Sequence, residues 1–197
     1  MRKMGLVVAV LSVLAAAAAA ASFAPDFLPA AAKEDLAKIK SAFPVWTSVS
    51  MRVGLNGSFC DISEGAQRIN LNGSRTSWGS WNVSGYAADQ YLSLSVNPRS
   101  NQDPSRGYSI WGSGVSVDIN PSGRGWSVWG TVDSRSFNLY LNPFGGSVSI
   151  SGQSGLSLNA SSSGSGYWVS GSVDFAQFDR KSLAVLATVL AATAPAK

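Results

Sequence analysis

A pattern of alternating residues recurs five times between Ile69 and Gly171, and it constrains the fold more than any other feature. Each copy begins with alternating apolar and polar residues and reaches an Asn near the end of that stretch. A turn follows, and after it comes a segment in which Val or Ile stands two residues before a Gly. The second halves of the copies are Trp81–Gly85, Tyr108–Gly112, Trp126–Gly130, Val148–Gly152 and Tyr167–Gly171. Strict alternation between turns is typical of antiparallel strands with one apolar face. A repeat of roughly 20 residues with two strands per unit therefore predicts tandem β-hairpins.

A further alternating segment precedes the repeats. Residues 45–55 alternate between apolar and polar and are followed by Asn56-Gly57, which is a hairpin signal. The whole pattern predicts a mainly β protein, an antiparallel meander of tandem β-hairpin repeats with about 11 strands that forms a curved sheet or open barrel. Alternation is the same in an open sheet and in a closed barrel, so the sequence leaves closure undecided.

Two segments with helical character flank the hairpins. Leu36, Ile39 and Phe43 recur three and four residues apart, which predicts an amphipathic N-terminal helix. Residues 183–192 are nearly all apolar and predict a C-terminal helix that ends before Pro195 and is too short to cross a bilayer. We expect both helices to pack on the apolar face of the sheet. The predicted segments are a signal peptide at 1–21, a leader and amphipathic helix at 22–44, the hairpin domain at 45–176 and the C-terminal helix at 177–197.

The N-terminus has the pattern of a secretory signal peptide. Arg2 and Lys3 precede an apolar run from Met4 to Ala21, and the small residues at its end offer a cleavage site. An N-terminal membrane anchor is the alternative, because the run is near the lower length limit for a membrane span. We expect export to the periplasm or the extracellular space, with the outer membrane as the alternative location.

Charge and side-chain inventory argue against several classes of function. The formal net charge is +4, the cationic side chains of the turns are scattered singly and no cluster occurs beyond residues 33–40, so there is no focused footprint for nucleic acid. The chain has no His and a single Cys, Cys60, which argues against the commonest general base, zinc sites and an internal disulfide framework. We expect no metal and no cofactor. Cys60 is interpreted as a small buried residue, with pairing between two chains as the alternative.

The carboxylates of the hairpin region are isolated from one another in the sequence. A glycosidase needs two carboxyl groups at a defined separation, and no spacing here indicates such a pair. The residues concerned are Asp89, Asp103, Asp118, Asp133 and Asp174. We therefore predict a protein that is not an enzyme, with a carboxylate-dependent hydrolase as the last alternative.

Loop lengths predict how the strands pair. If Val132 faces Phe137 across a four-residue loop, the apolar residues of neighbouring strands land opposite one another on one face. The same arithmetic places Trp129 directly opposite Tyr140 on the polar face.

Four aromatic residues on the polar face are the predicted ligand-binding residues. They are Trp111, Trp129, Tyr140 and Trp168, the last expected opposite Ser157. An aromatic pair beside small Ser and Gly residues makes a flat stacking surface that suits sugar rings or a partner protein.

Other aromatic residues lie near the strand ends on the predicted apolar face. They are Trp81, Tyr108, Trp126 and Tyr167 at one end, and Tyr91, Phe137 and Phe175 at the other. We interpret them as the rim of a packed core. The alternative is the pair of interfacial girdles of an outer-membrane barrel, which the short strands and the C-terminal helix disfavour.

These observations favour an exported, non-catalytic cell-envelope protein that binds or scaffolds through a Ser/Asn/Gly-rich sheet face with exposed aromatic residues. The expected partner is an envelope glycan or a surface protein, and no nucleic acid. The first alternative is a small outer-membrane β-barrel. We expect contact with a membrane only under that alternative. No motif in the chain assigns it to a family, and the sequence does not identify the ligand or the oligomeric state.

Overall fold

Antiparallel strands make up most of the residues that the structure, a computed structural model, describes. Those residues are 45–54, 57–62, 68–76, 79–100, 104–164 and 166–194. They form β1 (Trp46–Gly54), β2 (Gly57–Ile62), β3 (Ile69–Arg75), β4 (Trp81–Ala87), β5 (Gln90–Pro98), β6 (Tyr108–Gly112), β7 (Val115–Ser122), β8 (Gly125–Val132), β9 (Arg135–Phe144), β10 (Ser147–Ser151), β11 (Leu156–Ser163), β12 (Gly166–Asp174) and the helix α1 (Arg180–Thr193), with a 3₁₀ helix at Pro104–Arg106. The predicted antiparallel meander is confirmed.

The hydrogen-bonded ladder returns to its starting point. Each strand pairs with its neighbours in the chain, and β1 pairs with β2 on one side and with β12 on the other, which closes the barrel. The β1–β12 contact runs from Trp46 opposite Asp174 to Gly54 opposite Gly166. The junction between β10 and β11 is much shorter, with three residue pairs. Closure joins two segments that are far apart in the chain, which is why no local pattern predicted it.

Side chains alternate between a buried inner face and an exposed outer face. In β9, Leu139 and Leu141 are buried, whereas Asn138 and Tyr140 on either side of Leu139 point to solvent. The outward positions of β6 to β9 carry mainly Ser, Asn and Thr, with a few aromatic residues among them. This two-residue period places the apolar half of each repeat inside the barrel.

The helix α1 fills the interior of the barrel. Residues 182–192 are all buried, and α1 contacts β1, β3, β4, β8 and β12, which belong to different sides of the wall. A helix that is apolar all round needs burial on every side, and the inner face of the barrel supplies it. The predicted packing of the C-terminal helix on the apolar face is confirmed. The predicted N-terminal helix lies outside the described residues.

Both ends of α1 have a local cause. The Asp179 carboxylate caps the first turn by accepting a hydrogen bond from the Ser182 backbone N–H at 2.7 Å. At the other end the Thr193 hydroxyl donates to the Val189 carbonyl at 2.9 Å. Ala194 is extended, as expected of a residue that precedes a Pro.

The Gly that ends each repeat allows neighbouring strands to approach closely. In each copy φ lies between +114° and +158°, and an added Cβ would lie between 2.0 and 3.0 Å from a backbone oxygen of the adjacent strand. The five positions are Gly85, Gly112, Gly130, Gly152 and Gly171. Glycine kinks of this kind let a sheet bend, and here they recur around the wall.

Two strands are short, and a side chain replaces the backbone pairing where each of them ends. After β6, the Ser113 hydroxyl accepts a hydrogen bond from the Ser93 N–H at 2.9 Å. After β10, the Gln153 carboxamide accepts from the Asn138 N–H and donates to the Ser136 carbonyl, both at 3.0 Å. These side chains satisfy edges of β5 and β9 that would otherwise be unpaired.

The predicted register is wrong by two residues at three hairpins. Val132 faces Arg135 rather than Phe137, because Asp133 and Ser134 form a two-residue turn with φ values of +47° and +63°. Positive φ at both central residues is the type I′ geometry that matches strand twist. The loop lengths also predict Ile119 opposite Trp126 and Leu141 opposite Val148, whereas Ile119 faces Val128 and Leu141 faces Ile150, again a difference of two residues. A shift of two residues keeps every side chain on its predicted face, so the inner and outer assignments of these three hairpins stand.

Candidate binding surfaces

The four aromatic residues predicted to bind a ligand all lie on the outer face. Trp111, Trp129, Tyr140 and Trp168 are each about half exposed, between 49% and 57%. A stacking surface requires such exposure. It follows from the two-residue period of the strands, because each of these aromatic residues stands next to residues whose side chains point inward. Their role in binding stays a prediction.

Trp129 and Tyr140 are diagonal neighbours and not the direct pair that the sequence predicted. The direct partners of Trp129 are Asp118 and Asn138, whereas Tyr140 lies opposite Ser127. Diagonal positions on adjacent antiparallel strands are about 8 Å apart, within reach of aromatic side chains. The Tyr140 ring also covers the backbone beside it, because one ring carbon lies 3.2 Å from where Gly152 would carry a Cβ.

Trp111 extends this diagonal to a third strand. Residues that lie opposite one another across successive strands form a row. Trp111 on β6 is one row away from Trp129 on β8, and Trp129 is one row away from Tyr140 on β9 in the same direction. We call these three residues the aromatic diagonal. Strand spacing and rise put Trp111 about 12 Å from Trp129. Trp168 is separate from them, on β12 between Arg52 and Ser161; its predicted position opposite Ser157 is wrong, because β11 and β12 join through a two-residue turn.

Polar groups adjoin the aromatic diagonal on the same face. The Ser109 hydroxyl donates to the Asp118 carboxylate at 2.8 Å, and Arg99 lies 3.8 Å from the same carboxylate. Arg99 also donates to the Asn120 side-chain oxygen. Asp118 is the cross-strand neighbour of Trp129, so carboxylate, amide and hydroxyl groups stand beside an exposed indole.

A true cross-strand aromatic pair occurs elsewhere, at Tyr86 and Tyr91. Their ring centroids are 5.3 Å apart in an edge-to-face arrangement, and both side chains are more than half exposed. The prediction that Tyr91 lies on the apolar face is wrong, since its neighbour Leu92 occupies that face. A two-residue turn at Ala88-Asp89 makes the two tyrosines partners, and recognising that turn in the sequence would have found the pair.

The aromatic residues at one end of the barrel belong to the core, as we interpreted them. Trp81, Tyr108 and Tyr167 are buried, and Trp126 packs partly buried against the core, 6.5 Å from Tyr108 between ring centroids. Burial raises the pKa of both tyrosine hydroxyls, with Arg75 partly opposing the shift at Tyr108. These phenols therefore stay protonated well above neutral pH.

A pocket opens at the end of the barrel where α1 ends. Its volume is about 390 Å³, and its walls come from β8 to β12 and from the last residue of α1. The residues are Trp126, Leu141, Pro143, Phe144, Gly145, Gly146, Ser147, Val148, Ser162, Tyr167 and Thr193. We call it the mouth pocket. The sequence predicts no pocket here, and its one local sign is the aromatic residue Phe144 beside the Gly-Gly turn of the β9–β10 hairpin.

The opposite end of the barrel is held by ion pairs around the start of α1. Lys181 contacts the Asp133 carboxylate, and Arg135 lies 3.7 Å from Asp179. The Arg180 guanidinium stacks 4.5 Å from the centroid of the Phe175 ring. These contacts tie the first turn of the helix to the strand turns around it.

Other site chemistry is not evident in the described part of the chain. No cluster of three or more His, Cys, Asp or Glu residues that could hold a metal ion occurs there. Within the same residues, no helix is both long enough and apolar enough to cross a membrane.

Similarity to known proteins gives no independent indication of what this chain does. Comparison with protein-family models, with curated proteins and with solved structures finds no match. Any assignment of function therefore depends on the geometry of the surfaces described above.

Proposed function

We propose that this is an exported, non-catalytic cell-envelope protein that binds an envelope glycan through the aromatic diagonal on its outer face. The observation that carries the proposal is the exposure of Trp111, Trp129 and Tyr140 on β6 to β9, where the other outward positions are mainly Ser, Asn and Thr. A barrel filled by a buried helix is a rigid support for such a surface. A surface protein is the alternative partner, and the experiment described below distinguishes it from a glycan.

The groups beside the diagonal suit a sugar better than a purely apolar ligand. Aromatic faces stack against the apolar face of a sugar ring, and hydroxyl groups of the sugar need donors and acceptors nearby. The Asp118 carboxylate and the Asn120 amide lie on the rows of Trp129 and Tyr140 and provide them. Stacking and hydrogen bonding are therefore available within one short stretch of wall.

The direction of the side chains favours this proposal over an outer-membrane barrel. A membrane barrel carries an outward apolar band and a polar interior. The described strands have the opposite arrangement: Leu139, Val128 and Val117 point inward, whereas Ser, Asn and Asp residues point outward.

Two of the described carboxylates, Asp133 and Asp174, are held in structural contacts, which favours binding over hydrolysis. Asp133 is engaged with Lys181, and Asp174 accepts hydrogen bonds from Gln177 and from the Ala176 N–H. Each of these contacts is structural in character, so a hydrolase remains the last alternative.

The test is a fluorescence titration of the protein with peptidoglycan fragments and cell-wall polysaccharide. We expect saturable binding by the wild type and a loss of at least about tenfold in affinity in the double variant Trp129→Ala/Tyr140→Ala, because both stacking faces are removed. Thermal unfolding should show only a modest cost, about 1–3 kcal/mol for the double variant, because both side chains are about half exposed and lose little buried apolar area.

The matched control is Tyr86→Ala/Tyr91→Ala, which removes two equally exposed aromatic side chains from another part of the wall. It should leave glycan affinity within about twofold of the wild-type value.

If no glycan binds and the Trp129/Tyr140 variant is strongly destabilised, the diagonal is structural. Binding of envelope proteins without glycan binding would favour the protein partner. Fractionation of the native cell tests location, since extraction by carbonate alone argues against an integral barrel.

A further inference from the structure

We propose that the mouth pocket is a binding site for a neutral, mainly apolar small molecule. This site lies at the end of the barrel and shares no residue with the aromatic diagonal, so it is independent of the proposed glycan site. Its volume of about 390 Å³ falls within the range of sites for drug-sized ligands.

The chemistry of the walls calls for a ligand without charge. None of the described residues that line the pocket carries a charged side chain. The Tyr167 hydroxyl is also uncharged, and burial raises its pKa further above the ordinary value of a tyrosine. An ionic ligand would lose its hydration and find no opposite charge in exchange, so it would bind poorly.

The apolar part of the wall is large and contains aromatic rings. Trp126 and Tyr167 flank the pocket from β8 and β12, and Leu141 and Val148 lie between them on β9 and β10. The polar groups at the pocket are few, and the Thr193 hydroxyl already donates to the Val189 carbonyl. Such a site takes an apolar body with few hydrogen-bonding groups.

Phe144 is placed to cover a bound ligand. Its side chain is 87% exposed at the rim, on the hairpin that turns at Gly145-Gly146. A Cβ added to either Gly would meet nothing within 4 Å, so this turn stands in open space. A large apolar side chain held in water gains free energy when a ligand covers it.

The test uses the neutral fluorescent probe N-phenyl-1-naphthylamine and the full-length protein. We expect saturable one-to-one binding with a dissociation constant on the order of 10 μM, as ligand efficiencies for molecules of this size imply. Energy transfer from tryptophan to the probe shows that the probe binds the barrel, and the variants below locate it. The anionic probe 1-anilinonaphthalene-8-sulfonate should bind at least about tenfold more weakly, because the pocket offers it no counter-charge.

Two variants locate the probe, and both change exposed residues, where substitutions usually cost little stability. Ser162→Trp fills the pocket from its rim and should weaken binding at least about tenfold, and Phe144→Ala should weaken it about threefold to tenfold. The control Tyr86→Ala removes an exposed ring elsewhere and should leave affinity unchanged.

Three outcomes would overturn the proposal: no saturable binding, equal affinities in all variants, or tighter binding of the anionic probe than of the neutral one. Glycan binding by the aromatic diagonal should be unaffected by Phe144→Ala. The two proposals therefore succeed or fail separately.

Discussion

At the scale of single residues, the repeat Gly has a specific structural task. At Gly130 the φ of +155° is one that L side chains rarely adopt, and an added Cβ would lie 2.1 Å from the Ser116 carbonyl oxygen. The constraint is backbone against backbone, so no side-chain rotation relieves it. This explains why the pattern ends in Gly in all five copies while the residues around it vary.

Gly130→Ala should therefore destabilise the protein by about 3 kcal/mol or more, through backbone strain and separation of β7 from β8. The control is Gly123→Asn, at a turn where φ is +59° and no atom lies within 4 Å of an added Cβ. Asn tolerates that conformation, so the control should stay within about 1 kcal/mol of wild type. Denaturant titration of both variants measures the difference, and equal stabilities would contradict the close-approach argument.

At the scale of elements, α1 is the core of the barrel. Leu183, Leu186 and Leu190 are completely buried, and the strands around them contribute their apolar faces to the same cluster. A twelve-stranded wall encloses more space than its own side chains fill, and eight strands already suffice to close around a packed interior. The helix occupies that extra volume, which gives a physical reason for its being apolar on every side.

Deleting residues 183–197 should leave an empty or collapsed barrel that aggregates or binds apolar dyes, because the inner wall loses its covering. The measurements are light scattering and fluorescence of 1-anilinonaphthalene-8-sulfonate. A truncation after Ala194, which keeps α1 whole, serves as the control and should behave like the full chain. If the protein lacking residues 183–197 stayed monomeric with unchanged thermal stability, α1 would be an appendage and not the core.

At the scale of the whole barrel, closure makes the first and last strands interdependent. β1 pairs with β12 along its full length, and α1 contacts both of them. The ladder therefore has no free end at which unfolding can begin, and strand and helix share one buried cluster. Contacts between such distant segments also imply slow folding, because a long loop must close before they form.

The barrel and α1 should unfold in a single cooperative transition. Far-ultraviolet circular dichroism follows the strands and the helix, and tryptophan fluorescence follows buried Trp81 and partly buried Trp126. The two thermal curves should superimpose. Separate midpoints would show that α1 leaves the barrel before the wall opens.

Much of the candidate binding surface was accessible from the sequence. Alternation alone puts Trp111, Trp129 and Tyr140 on the outer face, since each is flanked by inward-pointing neighbours. Their diagonal arrangement was not accessible, because it depends on turns of two residues at places without the usual Asn-Gly signal. Tyr86 and Tyr91 were missed as a pair for the same reason.

The sequence by itself determined the elements that depend on local order: the strands, their inner and outer faces, the repeat Gly and the apolar C-terminal helix. These follow from periodicity and turn chemistry within a few residues of one another. Only the tertiary structure decided the register, the closure of β1 on β12, the particular strands that α1 contacts and the mouth pocket. The physical reason is that these features join strands and helix residues distant in the chain, whereas the pattern along each strand is the same whichever partner it meets.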